Sequence, residues 1–112
     1  DKKRKCRIVD IKKLNEVLIK LINNHKKSKK TKGIIIDSHL SHYLPNKYVD
    51  LCIVTKCNLK TLERRLKKKG YDKNKIRENL DCEIFDVCYN EAVERKHGVL
   101  IIDTSKEINL KN

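Results

Sequence analysis

Apolar side chains recur at spacings of three and four residues in three segments of the chain, a pattern typical of amphipathic helices. The first helix is predicted to end at Asn23, the second to stop at Gly70, and the third to continue to about Gly98. A residue whose side-chain oxygen can cap a helix N-terminus precedes each of these helices. The predicted caps are Asp10, Asn58 and Asp72.

Three short apolar segments, residues 33–37, 49–55 and 99–103, are rich in Ile and Val and mostly do not alternate with polar residues. That pattern is typical of parallel strands that are covered on both faces. Strands that are interleaved with helices indicate an α/β fold, in which right-handed crossovers connect the strands of a parallel sheet. Residues 38–47, which contain Pro45, are predicted to be a loop.

The first predicted strand ends in a carboxylate and an imidazole, those of Asp37 and His39. Ligands of open α/β sheets bind beyond the carboxyl ends of the strands, and phosphate-transfer folds hold Mg²⁺ with an Asp at such a position. A strand that leaves the core through ordinary turn residues would have the same pattern, so these residues alone leave both interpretations open. Chelation of a metal by Asp37, His39 and His42 is a further alternative.

Composition adds a large excess of positive charge, because 28 Lys and Arg against 15 Asp and Glu give the 112 residues a net charge of +13. This length corresponds to one domain at most. The charge points to anionic partners, which are nucleotides, RNA or both. No apolar segment is long enough to span a bilayer and no amphipathic helix has an aromatic face, so a membrane is not an expected partner.

The five cysteines are odd in number, and none of them has the C-x-x-C spacing. This favours a protein of a reducing intracellular compartment, nuclear or cytoplasmic, over a disulfide scaffold or a zinc site. The cysteines are Cys6, Cys52, Cys57, Cys82 and Cys88.

Two basic stretches are either phosphate-binding segments or solvated surface. Residues 25–32 (HKKSKKTK) form a predicted loop that is a solvated connection or a contact with RNA or the ribosome. Residues 64–77 form a mobile arm that folds over nucleotide phosphates, or a solubilising face. No G-x-x-x-x-G-K-[ST] sequence occurs, so nothing in the 112 residues is expected to cradle β- and γ-phosphates.

A series of short motifs extends over residues 33–103 at specific separations. They are D-S-H at 37–39, Y-L-P at 43–45, K-G-Y at 69–71, C-E-I-F at 82–85 and Y-N-E-A at 89–92. With these motifs the chain resembles the adenylate kinase isoenzyme 6 family, also called coilin-interacting nuclear ATPase, a set of small P-loop kinase-fold proteins. Residues 1–16 resemble the end of that family's nucleoside-monophosphate-binding arm.

The resemblance implies a nucleoside-monophosphate-kinase-like parallel sheet with flanking helices. It implies adenylate kinase and ATPase activity, in which the γ-phosphoryl group of ATP passes to an AMP-type acceptor or to water with the help of Mg²⁺. It also implies a role in maturation of the small ribosomal subunit, in contact with a small-subunit ribosomal protein and with rRNA.

By the same resemblance, Asp37 matches the Walker-B-like Asp that holds the Mg²⁺ ion through its water shell. His39 matches the family His that positions the attacking group or water. Both residues are therefore implied to be catalytic.

The resemblance also implies a lid over the phosphates, formed by residues 68–78. Arg65 matches a lid-base arginine, and Lys69 and Arg77 are implied to bind ATP with it. Lys69 and Lys56 stand where the family has arginine, and lysine lacks the planar fork that binds phosphate in a bidentate way. We therefore expect looser phosphate binding at residue 69.

The family begins with strands and a P-loop that have no counterpart here, so the resemblance implies a single partial domain over residues 1–112. In the family's sheet order, 2-3-1-4-5, the missing first strand would lie between residues 33–37 and 49–55. Its absence would leave those two strands about 10 Å apart, twice the ordinary spacing. We expect the chain to be part of a longer protein or to complete its sheet in some other way.

A second function of a different class stays open at this point. The chain could be a basic RNA- or ribosome-binding module with a vestigial nucleotide site. Such a module would have an RNA affinity that falls steeply with salt, and would bind ATP poorly.

Overall fold

The computed structural model describes residues 10–28, 30 and 32–106, so the predictions for residues 1–9, Cys6 among them, lie outside the described part of the chain. Four helices and two strands are connected in an α/β order, with two short 3-10 turns at Ser41–Tyr43 and Asn46–Tyr48. In chain order they are α1 (Ile11–Lys27), β1 (Cys52–Lys56), α2 (Leu59–Lys68), α3 (Lys73–Ile84), α4 (Val87–Glu94) and β2 (Val99–Asp103).

The two strands form a parallel sheet, in a register that places Cys52 opposite Val99 and Lys56 opposite Asp103. Because α2, α3 and α4 connect β1 to β2, both strands end at the same edge of the sheet. The predicted α/β class and the parallel pairing are therefore confirmed. Strand β1, which was predicted over residues 49–55, begins three residues later than predicted, at Cys52.

Coverage of the sheet differs from the prediction of strands that are buried on both faces. Val54 is buried, but Ile53, Leu100 and Ile101 each keep about half of their surface exposed. The helices of the described residues therefore cover the sheet only in part.

Residues 33–37 are not a strand, so this prediction is wrong for the structure as described. Ile35 is 95% exposed and Ile34 is 44% exposed. A strand needs a neighbour to accept and donate its backbone hydrogen bonds, and the described sheet consists of β1 and β2 alone. In the sheet order implied by the resemblance, residues 33–37 and β1 are not neighbours, so they do not pair directly.

The predicted N-caps are confirmed in all three cases, because each side chain accepts a hydrogen bond from the backbone N–H three residues later. The distances are 3.2 Å at Asp10, 2.8 Å at Asn58 and 2.8 Å at Asp72. The first helix continues beyond the predicted end at Asn23 to Lys27. Its last turn is basic, and positive side chains are favourable near the negative end of the helix dipole.

The single long helix predicted after Asp72 is divided into α3 and α4. Asp86 interrupts it with a left-handed backbone, at φ 51°. The ammonium group of Lys56 donates to the backbone carbonyl of Glu83 at 3.3 Å and to the Asp86 carboxylate. Lys56, at the end of β1, thus provides a hydrogen-bond donor for the Glu83 carbonyl at the C-terminus of α3. In an uninterrupted helix this carbonyl would accept a hydrogen bond from the next turn of the same helix.

The core is small: one part surrounds the connection from residue 38 to residue 48, which packs against α1 and α4, and another lies where α2 packs against α3. Leu44 in this connection is only 2% exposed. The other buried apolar residues come from α1, β1, α2, α3 and α4. They are Ile22, Val54, Leu66, Ile76 and Ala92. None of the described helices is both long and apolar enough to cross a membrane.

We expect Gly70→Ala to destabilise the protein by about 1 kcal/mol, because an alanine is strained in a left-handed backbone. Gly70 has a φ of 81° after α2, and an added Cβ would meet no atom within 4 Å, so the cost is purely conformational. Urea or thermal unfolding measures it. Gly98→Ala is the matched control, since it also adds a Cβ into open space but without a positive φ, and it should be neutral or slightly stabilising. Equal effects of the two substitutions would contradict the assignment.

Candidate functional site

An open cavity of about 230 Å³ lies at the edge of the sheet where β1 and β2 end. This is the edge at which open α/β sheets bind their ligands. Side chains of α2, α3 and α4 form its walls, and Cys57, Cys82 and Cys88 contribute free thiols. The charged residues that line the cavity are Lys56, Arg65, Glu83 and Asp86.

Lys56 at the end of β1 is the centre of an ion-pair network in this cavity. Its ammonium nitrogen lies 3.0 Å from a carboxylate oxygen of Glu83 and also binds the carboxylate of Asp86. The hydrogen bond to Asp86 raises the pKa of Lys56 above its ordinary value, and partial burial opposes that shift. The same Glu83 oxygen accepts a hydrogen bond from the backbone N–H of Cys57 at 3.1 Å. The positive charge of Lys56 is thus neutralised within the protein.

Arg65, the predicted lid-base arginine, is positioned at this edge by the end of β2. Its guanidinium donates to the backbone carbonyl of Thr104 at 2.6 Å, to the hydroxyl of Thr104 at 3.2 Å and to the sulfur of Cys57 at 3.4 Å. Thr104 in turn donates to the carbonyl of Lys56 from its backbone N–H and from its hydroxyl. These bonds connect α2 to both strand ends.

The predicted lid, residues 68–78, consists of the end of α2, the turn at Gly70 and the first half of α3. Lys69 and Lys75 lie on either side of this turn, and their ammonium groups are 6.0 Å and 4.1 Å from the centre of the Tyr71 ring. Arg77 forms an exposed ion pair with Asp81, at 3.6 Å, one turn further along α3. Neither Lys69 nor Arg77 lines the cavity that Arg65 borders.

Asp37 and His39 are exposed; Asp37 ends the segment of residues 33–37, and His39 begins the turn that comes after Ser38. Ser38 between them accepts a hydrogen bond from the backbone N–H of Leu40 at 3.1 Å, and its carbonyl accepts one from the hydroxyl of Ser41 at 3.0 Å. Neither Asp37 nor His39 is part of the cavity lining. The structure therefore brings Arg65 to the sheet edge but keeps the Asp-x-His motif on a separate segment.

A second polar group, which we call the anchor cluster, consists of His42, Tyr43, Glu91, Arg95 and His97. The Tyr43 hydroxyl donates to the Glu91 carboxylate, and the Arg95 guanidinium lies 4.2 Å from the centre of the Tyr43 ring. A ring nitrogen of His97 donates to the backbone carbonyl of His42 at 2.7 Å. The sequence placed Tyr43 and Glu91 in two motifs, but gave no signal that the two residues are in contact.

Comparison with known proteins adds one decisive match. A family model described as "AAA domain" matches residues 1–86, which is more than half of the chain. The chain belongs to this AAA domain family. That assignment confirms the P-loop kinase-like α/β class, although the chain itself contains no glycine-rich P-loop sequence.

Curated relatives support the narrower resemblance stated from the sequence. The chain is 42% identical over 76 residues to a Pyrococcus furiosus protein named "Putative adenylate kinase", a match that covers 68% of this chain and 41% of that protein. It is 33% identical over 107 residues to the adenylate kinase isoenzyme 6 homolog of Saccharomyces cerevisiae, covering 96% of this chain and 51% of that protein. The resemblance to the adenylate kinase isoenzyme 6 family is thereby confirmed. The chain spans about half the length of the curated relatives it matches.

The AAA domain family and the donor set at Asp37 together make Mg²⁺ the metal to consider. Mg²⁺ is usually held by one or two carboxylates plus substrate phosphates and several waters, so a single exposed carboxylate fits it. Within the described residues, no group of three or more His, Cys, Asp or Glu side chains could hold a metal alone. The alternative of a chelate with His42 is therefore wrong, because the ring of His42 is buried in the anchor cluster.

We expect Tyr43 to titrate above its ordinary pKa of 10.0, because its hydroxyl donates to the Glu91 carboxylate and burial disfavours the phenolate. The hydrogen bond is thus fully formed below pH 10 and is lost as the pH rises through the raised pKa. Absorbance at a phenolate wavelength measures this titration, and Tyr43→Phe identifies the step that belongs to Tyr43. Glu91→Gln should move that step to lower pH, whereas Glu94→Gln on the same helix should not. An unchanged curve in Glu91→Gln would contradict the assignment.

Proposed function

We propose that the full-length protein is an adenylate kinase with ATPase activity, which transfers the γ-phosphoryl group of ATP to an AMP-type acceptor or to water. The observation that carries this proposal is the position of Arg65. Three hydrogen bonds hold its guanidinium at the carboxyl ends of two parallel strands, where nucleotides bind in this class of fold. Relatives named as adenylate kinases, over matches that cover 68% to 96% of this chain, support the same reaction class.

In this proposal Asp37 organises the Mg²⁺ ion through its water shell, and His39 positions the attacking acceptor or water. Mg²⁺, when bound, neutralises negative charge on the β- and γ-phosphate oxygens. Both side chains are exposed and are available to a nucleotide. The proposal also requires a glycine-rich loop from outside these 112 residues, since their sequence contains none.

The lid contributes positive charge to the phosphates through Lys69 and Arg77, with Arg65 at its base. The ion pair of Arg77 with Asp81 is no obstacle, because the Arg77 side chain is 81% exposed and exposed pairs contribute little free energy. Lys69 acts as a point charge and lacks the bidentate fork of an arginine. The lid of this protein should therefore bind phosphates with less geometric selectivity than one that carries arginine there.

Asp37→Ala in the full-length protein should lower ATP turnover at least about a hundredfold, because preorganised charge around the transferred phosphoryl group is lost. Release of inorganic phosphate and formation of ADP from ATP plus AMP measure the two reactions. Asp50→Ala is the matched control, since Asp50 is also an exposed loop carboxylate, next to β1. Near-normal turnover in Asp37→Ala would remove Asp37 from the mechanism.

We further propose that the protein acts on the maturing small ribosomal subunit, in the nucleus or the cytoplasm, in contact with a small-subunit ribosomal protein and rRNA. The net charge of +13 supports an anionic macromolecular partner. The end of α1 and the segment after it carry exposed lysines, which form a local cationic surface. These are Lys26, Lys27, Lys30 and Lys32.

The RNA contact is tested with the double variant Lys30→Ser/Lys32→Ser. Two fewer phosphate contacts should reduce the slope of log affinity against log salt by about 1.5, measured by fluorescence anisotropy with a single-stranded rRNA fragment. Lys60→Ser/Lys68→Ser, which removes the same charge from α2, is the matched control and should keep the full slope. Identical slopes in the two variants would assign the affinity to net charge and not to this surface.

A further inference from the structure

The connection between the Asp-x-His motif and Leu44 is held by successive hydrogen-bonded turns. Ser38 caps the first turn through its side chain and its carbonyl. The backbone N–H of Tyr43 then donates to Leu40 at 3.1 Å, and that of Leu44 donates to Ser41 at 3.1 Å. These bonds connect residue 43, through a short and internally bonded segment, to Ser38, which lies between Asp37 and His39.

The anchor cluster holds the far end of this segment against α4, and Asn15 holds it against α1. Glu91 on α4 accepts the hydrogen bond of Tyr43, and its carboxylate oxygen lies 3.5 Å from a ring nitrogen of His42. His97 binds the carbonyl of His42, and the side-chain amide of Asn15 on α1 donates to the carbonyl of Tyr43 at 3.1 Å. The segment is thus held through the backbone carbonyls of His42 and Tyr43 and through the Tyr43 hydroxyl.

The contacts lie at the border of the buried core, where the Glu91 side chain is still 25% exposed. His42 is 8% exposed, His97 is 7% exposed and Leu44 is 2% exposed. Removal of one partner of a hydrogen bond leaves the other unsatisfied at a cost that rises with burial, so these contacts hold the segment more firmly than fully exposed ones would. On the other side of the motif, Ile34 and Ile35 are exposed.

We propose that Glu91 and Tyr43 are positioning residues for phosphoryl transfer, which hold the segment that follows Asp37 and contains His39 in place without touching the nucleotide. This inference rests on the proposed function of Asp37. The geometry gives Glu91 the central role, because one carboxylate oxygen faces both the Tyr43 hydroxyl and the His42 ring. The guanidinium of Arg95, at the end of α4, stacks on the Tyr43 ring and keeps that ring in contact with α4.

The test uses three variants of the full-length protein. Glu91→Gln removes the negative charge at constant size, and Tyr43→Phe removes only the hydroxyl. Glu94→Gln makes the same change as the first variant at an exposed position of α4 and is the matched control.

Two measurements are made on each variant. In steady-state ATP turnover, Glu91→Gln and Tyr43→Phe should lower kcat about tenfold, keep KM for ATP within about twofold and raise the Mg²⁺ concentration needed for half-maximal rate. Their combination should cost about as much as Glu91→Gln alone, because Tyr43 acts through the carboxylate that this variant already removes. In amide hydrogen exchange, residues 38–44 should exchange about tenfold faster than in the wild type. The control should match the wild type in both.

The outcomes separate this inference from the proposed function. If the wild type turns ATP over and Asp37→Ala does not, but Tyr43→Phe keeps the wild-type kcat and Mg²⁺ dependence, the positioning role is overturned. Unchanged exchange at residues 38–44 in Tyr43→Phe overturns it whatever the activity. If the wild type lacks turnover, the proposed function fails. Faster exchange at residues 38–44 in the two variants would then still support the role of Glu91 and Tyr43 in holding this segment. If Glu91→Gln does not fold, Tyr43→Phe decides.

Discussion

Parallel pairing of β1 with β2 is the constraint on which the rest of the structure depends. Parallel strands cannot be joined by a tight turn, so the chain has to return across the sheet, and α2, α3 and α4 are that return. The same pairing brings both strand ends to one edge. There Lys56 binds Asp86 at the α3–α4 junction, and the carbonyl of Thr104 accepts a hydrogen bond from Arg65. The cavity and the base of the lid are consequences of this crossover.

Features that depend on neighbouring residues could be predicted from the sequence. The caps Asp10, Asn58 and Asp72 and the stop at Gly70 were correct, because a cap acts on a backbone group three residues away. Features that depend on distant residues could not. The break at Asp86 depends on Lys56, thirty residues earlier, and the apolar run at 33–37 has β-propensity but no pairing partner among the described residues.

The candidate site likewise has residues that the sequence predicted and contacts that only the structure shows. Asp37, His39, Arg65, Lys69 and Arg77 came from motifs whose residue types carry chemistry, and their roles stay predictions until tested. The structure adds how Arg65 is held, by Thr104, and it shows the contact of Tyr43 with Glu91 on which our positioning proposal rests. Contact between Tyr43 and Glu91 spans 48 residues, a separation over which a single sequence with no aligned relatives carries no periodic signal.

The exposed side chains of Ile34 and Ile35 have a consequence for solubility. A short, β-branched, uncharged segment that is open to solvent can add to the sheet edge of a second molecule. Lys30 and Lys32 place positive charge directly before it, and two copies that approached in register would bring these charges together. This repulsion between exposed charges weakens as the salt concentration rises. The basic residues next to this run would therefore oppose self-association of the chain through this segment.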